Sequence, residues 1–395
     1  MFTRLAVAGG AAGFGYTQLL PNDAKAVFFP AHAWLADAAT AALRQIDAET
    51  AHNIAITAAK YNLTPVAPKP DDLLRTQVCG LGFGSPVGLA AGFDKNADAV
   101  DGLFGLGFGF VEIGTVTPLP QPGNEKPRMW RLTEDCGVIN RYGFNSEGMA
   151  EVSRRLEKVA EKDRPIGVNV GKNKLTPEDE AAEDYSKGIR KLGSKADYIV
   201  INVSSPNTPG LRNLQKKDLL QALLKKVVTV RNELGHRPPL LVKVAPDLDA
   251  QELKDVAEAS LAAAVDGIIV SNTTIARPET LRSENKAMQG GLSGRPLRAR
   301  ATKAVHDMSL ATDQKLPIVG VGGIANGQDA FDKIVVGASL VQLYSMMAFE
   351  GPSIGHRVNT ELADLLRLHG FKSVKEAVGA AHRNPELMPS DLRGA

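Results

Sequence analysis

YIVINVSSPNTPGLR (Tyr198–Arg212) opens with a run of apolar, mostly β-branched residues and then turns polar at Asn202, Ser204, Ser205, Asn207 and Thr208. A run this short has strand length, and its lack of alternation calls for burial on both faces. Seven other runs share the form: Val87–Ala91, Phe110–Ile113, Ile166–Val170, Leu240–Val244, Gly267–Val270, Ile318–Val321 and Leu340–Leu343. With Tyr198–Val203 they make eight strands. Amphipathic stretches separate them, among them Ala181–Leu192, Leu219–Leu234, Gln251–Ala264 and Asp329–Val336. Strands alternating with helices specify βαβ units, and eight parallel strands predict an α/β fold of the TIM (β/α)8 barrel type rather than an open doubly wound sheet. Pro118–Val138, rich in Pro, Gly and charge, reads as an inserted hairpin or loop.

The composition agrees with a large folded body. The chain has 395 residues, 44% hydrophobic and 23% charged, with 38 glycines and 2 cysteines, which excludes disordered, collagen-like and disulfide-scaffold classes. A net charge of +2 supplies no basic field for a nucleic-acid backbone, so no nucleic-acid partner is expected. Cys79 and Cys136 stand apart without metal-ligand spacing, so neither a metal nor a disulfide is expected.

Three parts precede or form this body. Residues 1–22 hold an uncharged run, Leu5–Leu20, that is short, glycine-rich and polar at Tyr16, Thr17 and Gln18; it reads as an anchor or targeting remnant, with a plain tail as the alternative. Residues 23–65 carry a helical pattern from Ala31 to Tyr61, with Trp34, Leu35, Ala38, Ala42, Ile46, Ile54, Ile56 and Ala59 on apolar faces, so two short helices are expected. Prolines 65, 68 and 70 then mark a linker, and residues 66–395 form the barrel.

In such a barrel the site lies at the carboxyl ends of the strands. There the chain places Gly92 and Lys95, Thr115, Asn169, Asn202 with Ser205 and Asn207, Lys243, and Ser271 with Asn272 and Thr273. Asn and Lys within apolar runs cost several kcal/mol, of order ~2–7, if buried without partners, so they must face one another, solvent or a ligand. Any one strand-end Asn is commonly a turn residue; five positions on different strands make a site. VGVGGIANG (Val319–Gly327) opens a helix after the seventh strand and suits a phosphate cradle, and Gly290–Gly294 is a second candidate. No GxGxxG with a downstream acidic partner follows the first strand, which disfavours a Rossmann nicotinamide site. Ser205 has no GxSxG elbow or His/Asp triad around it, so as a base it needs a hydroxyl or water relay, for which Thr208 is near in sequence; a turn cap is the alternative role.

AAGFDK (Ala90–Lys95), EIGTVTP (Glu112–Pro118), INRYGFNS (Ile139–Ser146), GVNVGKNK (Gly167–Lys174), NVSSPNTPGLR (Asn202–Arg212), LVKVAPD (Leu241–Asp247), SNTT (Ser271–Thr274), GGLSG, VGVGGI and ASLVQLYS (Ala338–Ser345) together resemble the membrane-associated, quinone-reducing class of dihydroorotate dehydrogenases. The resemblance runs from about Ala31 to the last helix. It implies an FMN enzyme that oxidises dihydroorotate to orotate in pyrimidine synthesis and is reoxidised by ubiquinone. The related soluble class has a cysteine where Ser205 stands and lacks the helical extension.

Carried over on these motifs, Ser205 would be the base that removes the C5 proton. Lys95, Asn140, Arg141, Tyr142, Gly143, Phe144, Asn202, Asn207, Asn272 and Thr273 would bind substrate, an assignment that suits a planar, anionic, amide-rich molecule. Ala90, Ala91, Gly92, Thr115, Asn169, Asn202, Lys243, Ser271, Gly294, Gly323, Tyr344 and Ser345 would bind FMN, with Lys243 beside the flavin N1/O2 edge. His52, Arg131 and Tyr344 would line the inner end of a quinone tunnel made by the two N-terminal helices. The resemblance also implies the mitochondrial inner membrane, facing the intermembrane space, or a bacterial inner membrane. Two other readings stay open on the residues: a flavin-free phosphate-binding barrel, and a membrane-bound quinone- or flavin-binding protein without turnover.

Overall fold

In the computed structural model of the chain, which describes residues 26–161 and 163–393, eight parallel strands close into a barrel. They are β3 (Val87–Leu89), β4 (Phe110–Val116), β7 (Ile166–Val170), β8 (Tyr198–Asn202), β9 (Leu240–Val244), β10 (Gly267–Val270), β12 (Ile318–Val321) and β13 (Ala338–Leu343). Around the barrel the order is β3-β4-β7-β8-β9-β10-β12-β13, returning to β3. Each strand therefore lies beside its predecessor among the barrel strands, as right-handed βαβ repetition requires. The eight expected strands coincide with the eight observed ones, with ends displaced by up to three residues.

Both faces of these strands are buried because one looks inward and the other meets the helical ring. Outward residues such as Ile113, Val168, Ile201 and Val242 join the helices in one large core, while Phe110, Tyr198, Val200, Leu241, Ile269, Val319 and Leu340 fill the interior. Asp249 starts the helix Ala250–Ala262 with a reciprocal capping box to Glu252, which satisfies two otherwise unpaired backbone donors.

Three elements outside the barrel shape its ends. An antiparallel hairpin, β1 (Thr76–Val78) with β2 (Leu81–Phe83), packs Val78 and Phe83 against the interior cluster. Phe83 meets Phe110, the first residue of β4, edge-on at 5.2 Å, so the hairpin plugs the amino-terminal end of the barrel. Its turn residues Cys79 and Gly80 have φ of 52° and 79°. Such a turn is normally signalled by Asn-Gly, and Cys-Gly hides it in the sequence. At the other end, β5 (Met129–Leu132) and β6 (Gly137–Asn140) form the expected inserted hairpin, and β11 (Gly291–Gly294) adds a third antiparallel strand to β6. The GGLSG loop is thus mainly an edge strand, and only its end remains at the site.

The two N-terminal helices are α1 (Phe29–Leu43) and α2 (Ala48–Lys60). Their packing differs from expectation. Trp34, Leu35, Ile46 and Ile54 face outward, with Trp34 70% exposed, while α1 turns Phe29, His32 and Ala33 inward. Polar contacts hold α1: Asp37 accepts from Ser353, and the Arg44 guanidinium donates to the Phe349 carbonyl at 2.6 Å. A buried pair between Glu49 and Arg128, 2.8 Å, joins α2 to the inserted hairpin. Cys79 and Cys136 are free thiols. The expected anchor or targeting segment at Leu5–Leu20 lies outside the described residues.

Helix α2 also touches the barrel through Gly102, where an added Cβ would stand 2.0 Å from the Ala59 carbonyl oxygen. Backbone cannot yield there. Gly102→Ala is expected to lever α2 outward and to destabilise by about 1–3 kcal/mol, read as a lower Tm with faster proteolysis within residues 43–60. An unchanged Tm and digestion pattern would refute this contact as the fulcrum.

Candidate active site

The carboxyl ends of the strands surround one cavity. Ala90, Ala91, Gly92, Lys95, Thr115, Asn140, Tyr142, Gly143, Phe144, Asn202, Ser205, Asn207, Lys243, Ser271, Asn272, Thr273, Gly294, Gly323, Tyr344 and Ser345 all line it. These residues come from the ends of seven of the eight barrel strands, all but β7, and from the inserted antiparallel sheet, so folding brings together what the sequence spreads over more than two hundred positions.

A side-chain lattice fixes the amides. The Asn202 amide donates to Thr115 Oγ1 at 2.9 Å and to Asn169 Oδ1 at 3.1 Å, and Thr115 Oγ1 donates to Asn169 Oδ1 at 2.6 Å. Asn272 donates to Ser204 Oγ at 3.0 Å and to Asn202 Oδ1 at 3.3 Å. Asn207 reaches across to the Asn140 carbonyl at 3.0 Å. Ser205 is 7% exposed, and its hydroxyl accepts from the Asn207 N–H at 3.3 Å. Nearby in the chain, Thr208 Oγ1 is buried with no hydrogen-bond partner. Arg212 ties this loop down by donating to the Ser204 carbonyl, Asp247 and the Thr273 carbonyl, each at 2.9–3.0 Å.

Two lysines enter from opposite ends. Lys95 Nζ donates to the Gly92 carbonyl at 2.9 Å and lies 4.3 Å from the centre of the Tyr142 ring. Burial pushes this ammonium down to about 8; Glu49 and Asp94 oppose the shift and Arg128 adds to it. Lys243, 5% exposed, lies on the cavity floor with its Nζ 3.8 Å from the carboxylate of Glu112. No protein group accepts a hydrogen bond from it among the described residues.

Glu112 and Gln342 were missed by motif reading. Glu112 is fully buried beneath the floor and accepts from Asn169 Nδ2 at 2.9 Å and Gln342 Nε2 at 2.8 Å. Each stands in an apolar strand run, the same signal that singled out Lys243.

Two of the expected site residues stand off the cavity wall. Arg141 does not line the cavity: its guanidinium donates to the Pro127 carbonyl and stacks over Trp130 at 5.1 Å. Strand β6 ends just before it, and its neighbours Tyr142 to Phe144 take the inward positions. Asn169 sits behind Thr115 and Asn202 instead of on the wall, fully buried. Of the trio expected at a quinone tunnel, His52 and Tyr344 meet at 3.5 Å between Nδ1 and the hydroxyl, with Phe93 edge-on to both rings. Arg131 is engaged by the carbonyls of Leu43, Arg44 and Ile46, where it closes the carboxyl end of α1.

The glycine cradle also differs in its donors. The helix Gly327–Val335 is capped by its own Asn326, which accepts from Asp329 N–H, and Glu361 accepts from Gly327 N–H. The backbone N–H groups of Gly322, Gly323 and Ser345, in contrast, donate to no protein atom among the described residues. With Gly322 and Gly323 at φ of 123° and 74°, conformations that glycine tolerates, these residues line the cavity with backbone amides left free of protein acceptors among the described residues.

Known proteins agree with this geometry. The dihydroorotate dehydrogenase family model matches residues 73–366. The chain belongs to the dihydroorotate dehydrogenase family. It is similar to the mitochondrial dihydroorotate dehydrogenase (quinone) of Mus musculus, 49% identical over 350 residues, covering 86% of this chain and 88% of that protein. It is also similar to the dihydroorotate dehydrogenase (quinone) of Azorhizobium caulinodans, 52% identical over 339 residues, covering 84% and 95%. Among solved structures, that of DHODH from Eimeria tenella in complex with ferulenol superposes with a TM-score of 0.83 at 44% identity, covering 85% of this chain and 96% of that one.

His52 is held well below the ordinary histidine range, first by burial and then by the positive charge of Lys95, against the opposing effect of the Phe93 backbone as a hydrogen-bond acceptor. Its ring is therefore expected to stay neutral from pH 8 down through pH 6. Imidazole NMR shifts check this, and an imidazolium signal near pH 6.5 would overturn it.

Proposed function

We propose that the chain oxidises (S)-dihydroorotate to orotate with bound FMN and passes the electrons to ubiquinone, as a step of pyrimidine synthesis. The observation that carries this reading is Lys243, a buried ammonium with no hydrogen-bond acceptor among the described residues, in a cavity also lined by Gly322, Gly323 and Ser345, whose loop amides are unpaired among those residues. A cofactor with an electron-rich ring edge and a phosphate tail suits both at once. Gln342 adds a third fit: its amide nitrogen is committed to Glu112, and its Oε1 is buried without a partner. FMN, when bound, supplies a two-electron acceptor that a quinone can discharge.

The chain's own groups divide the remaining work. Lys95 offers the cation for the substrate carboxylate, and Asn140, Asn207 and Asn272 offer amides that both donate and accept. Ser205 takes the C5 proton, and the buried, unpartnered Thr208 hydroxyl three residues on is the candidate for the next group in a relay. Thr115, Asn202, Ser271, Tyr344, Gly294 and Ser345 hold the ring, ribityl and phosphate ends, and Asn169 orients Thr115 and Asn202 from behind. His52, with Phe93 and Tyr344, forms the aromatic end of the quinone path, and Arg131 closes the helix that borders it.

Membrane association is part of the same reading. No helix of the described residues is long and apolar enough to cross a membrane, but Val27, Phe28, Trp34, Leu35, Ile46 and Ile54 present an exposed apolar surface on and beside α1 and α2. We read residues 23–65 as the quinone-tunnel unit resting on a lipid surface and residues 66–395 as the catalytic barrel. The mitochondrial inner membrane, facing the intermembrane space, is the favoured site, and a bacterial inner membrane is the alternative; the relatives include proteins named as mitochondrial and a bacterial one.

The deciding experiment is anaerobic mixing of the purified yellow protein with dihydroorotate, followed by a ubiquinone analogue. Bleaching and recovery of the flavin absorption are expected; a colourless protein that FMN does not reconstitute would sink the reading. Ser205→Ala is expected to slow bleaching by about 10²–10⁴-fold while leaving quinone-driven recovery within about twofold of the original enzyme. Equal slowing of both phases would remove Ser205 as the base. The pH dependence follows from Lys95: its depressed value means that charge is present below about pH 8 and lost above it. Orotate affinity of the oxidised enzyme should therefore fall, by up to about tenfold per pH unit, above pH 8, and the dependence should vanish in Lys95→Met.

A further inference from the structure

The groups around Glu112 all donate to it. Asn169 Oδ1 accepts from Thr115 and Asn202, which leaves only its Nδ2 for Glu112. Gln342 donates to the other carboxylate oxygen, and the Tyr198 hydroxyl approaches the same oxygen at 3.4 Å. Burial, followed by the Glu112 charge itself, pushes the Tyr198 phenol up, so this neighbour keeps its proton and remains a donor. The amide nitrogens of Asn169 and Gln342 and the Lys243 ammonium can only donate, so the pattern is that of an accepting carboxylate. The cation that balances it is Lys243, 3.8 Å away.

Glu112 itself does not line the cavity, but Lys243, Gln342, Thr115 and Asn202 do. Each of these is linked to Glu112 directly or through Asn169. We propose that Glu112 is a positioning residue that aims the floor groups at the cofactor and tempers the positive field of Lys243, and so sets how strongly the site favours reduced over oxidised flavin. This rests on the FMN reading above. Reduced flavin at neutral pH is an anion in a site that offers it a cation, and a fixed negative charge directly behind that cation subtracts from the attraction. Replacing Glu112 by an isosteric neutral amide should strengthen binding of the reduced form relative to the oxidised form.

The test is the two-electron midpoint potential of bound FMN, from dye-equilibrated reductive titration of the original protein, Glu112→Gln, Lys243→Met and the double variant. The expected result is a potential at least about 30 mV more positive in Glu112→Gln, equivalent to a tenfold change in the ratio of the two affinities for a two-electron couple. A shift of the same sign is expected between Lys243→Met and the double variant. A ratio unchanged within about twofold in both backgrounds, or a shift to more negative potential in either, overturns the proposal. If Glu112→Gln alone does not fold, the comparison of Lys243→Met with the double variant decides, since the double variant leaves no unpaired charge. An original protein that takes up no FMN overturns the cofactor reading and this inference with it, whereas bound FMN with unshifted potentials overturns the inference alone.

Discussion

A carboxylate and an ammonium share the interior of a closed barrel: Glu112 and Lys243, 3.8 Å apart, 0% and 5% exposed. Removing one member of such a pair typically costs ~3–5 kcal/mol because the other is left charged in a medium that cannot solvate it. The remainder of the site is arranged around that constraint. Asn169 and Gln342 complete the coordination of the carboxylate, and their commitment fixes which end of each amide is left over. Asn169 turns its oxygen to Thr115 and Asn202; Gln342, which lines the cavity, keeps an oxygen that meets no donor among the described residues. The orientation of the wall amides is thus inherited from a charge the ligand does not touch.

The closed topology makes this arrangement achievable. Residues of alternate direction along each strand separate an apolar exterior, packed on helices, from an interior whose lower part is aromatic and aliphatic and whose upper part is polar. Tyr198 sits at the boundary. Its ring packs against Phe110 and its hydroxyl faces Glu112. The hairpin plug below and the polar layer above keep water from the middle, which strengthens every electrostatic contact at the floor.

The strands were legible because burial on both faces leaves no alternation to misread, and polar breaks such as Asn202-Val203-Ser204-Ser205 mark their carboxyl ends. Lining residues followed from that geometry. What the sequence concealed has separate physical causes. The β1–β2 hairpin is three residues per strand with a Cys-Gly turn, too short for a periodic signal. The apolar positions of α1 and α2 are real, but periodicity does not say whether an apolar face meets protein or lipid, and here Trp34 and Leu35 face outward. Arg141 follows the end of β6, and its guanidinium meets the Pro127 carbonyl and the Trp130 ring while Tyr142 to Phe144 line the cavity, a difference between neighbours that the sequence does not display. Glu112 and Gln342 carried the same signal as Lys243, a polar residue between buried apolar ones, and were obscured because their role is exerted through other residues.

The same reasoning ties the helical extension to the barrel site. Glu49 on α2 pairs with Arg128, Arg128 lies 5.0 Å from the Tyr142 ring, and Lys95 lies 4.3 Å from it. One aromatic ring therefore faces two cations, and the carboxylate that offsets them belongs to the N-terminal helix. Lys95 in turn lowers the proton affinity of His52, which is on that helix as well. The charge of Lys95 is felt by the His52 imidazole, and α2 carries both a counter-charge, Glu49, and the receiver. Docking of the extension therefore places charges that the barrel feels, and it is sterically tight as well: at Gly102 an added Cβ would stand 2.0 Å from the Ala59 carbonyl oxygen of α2.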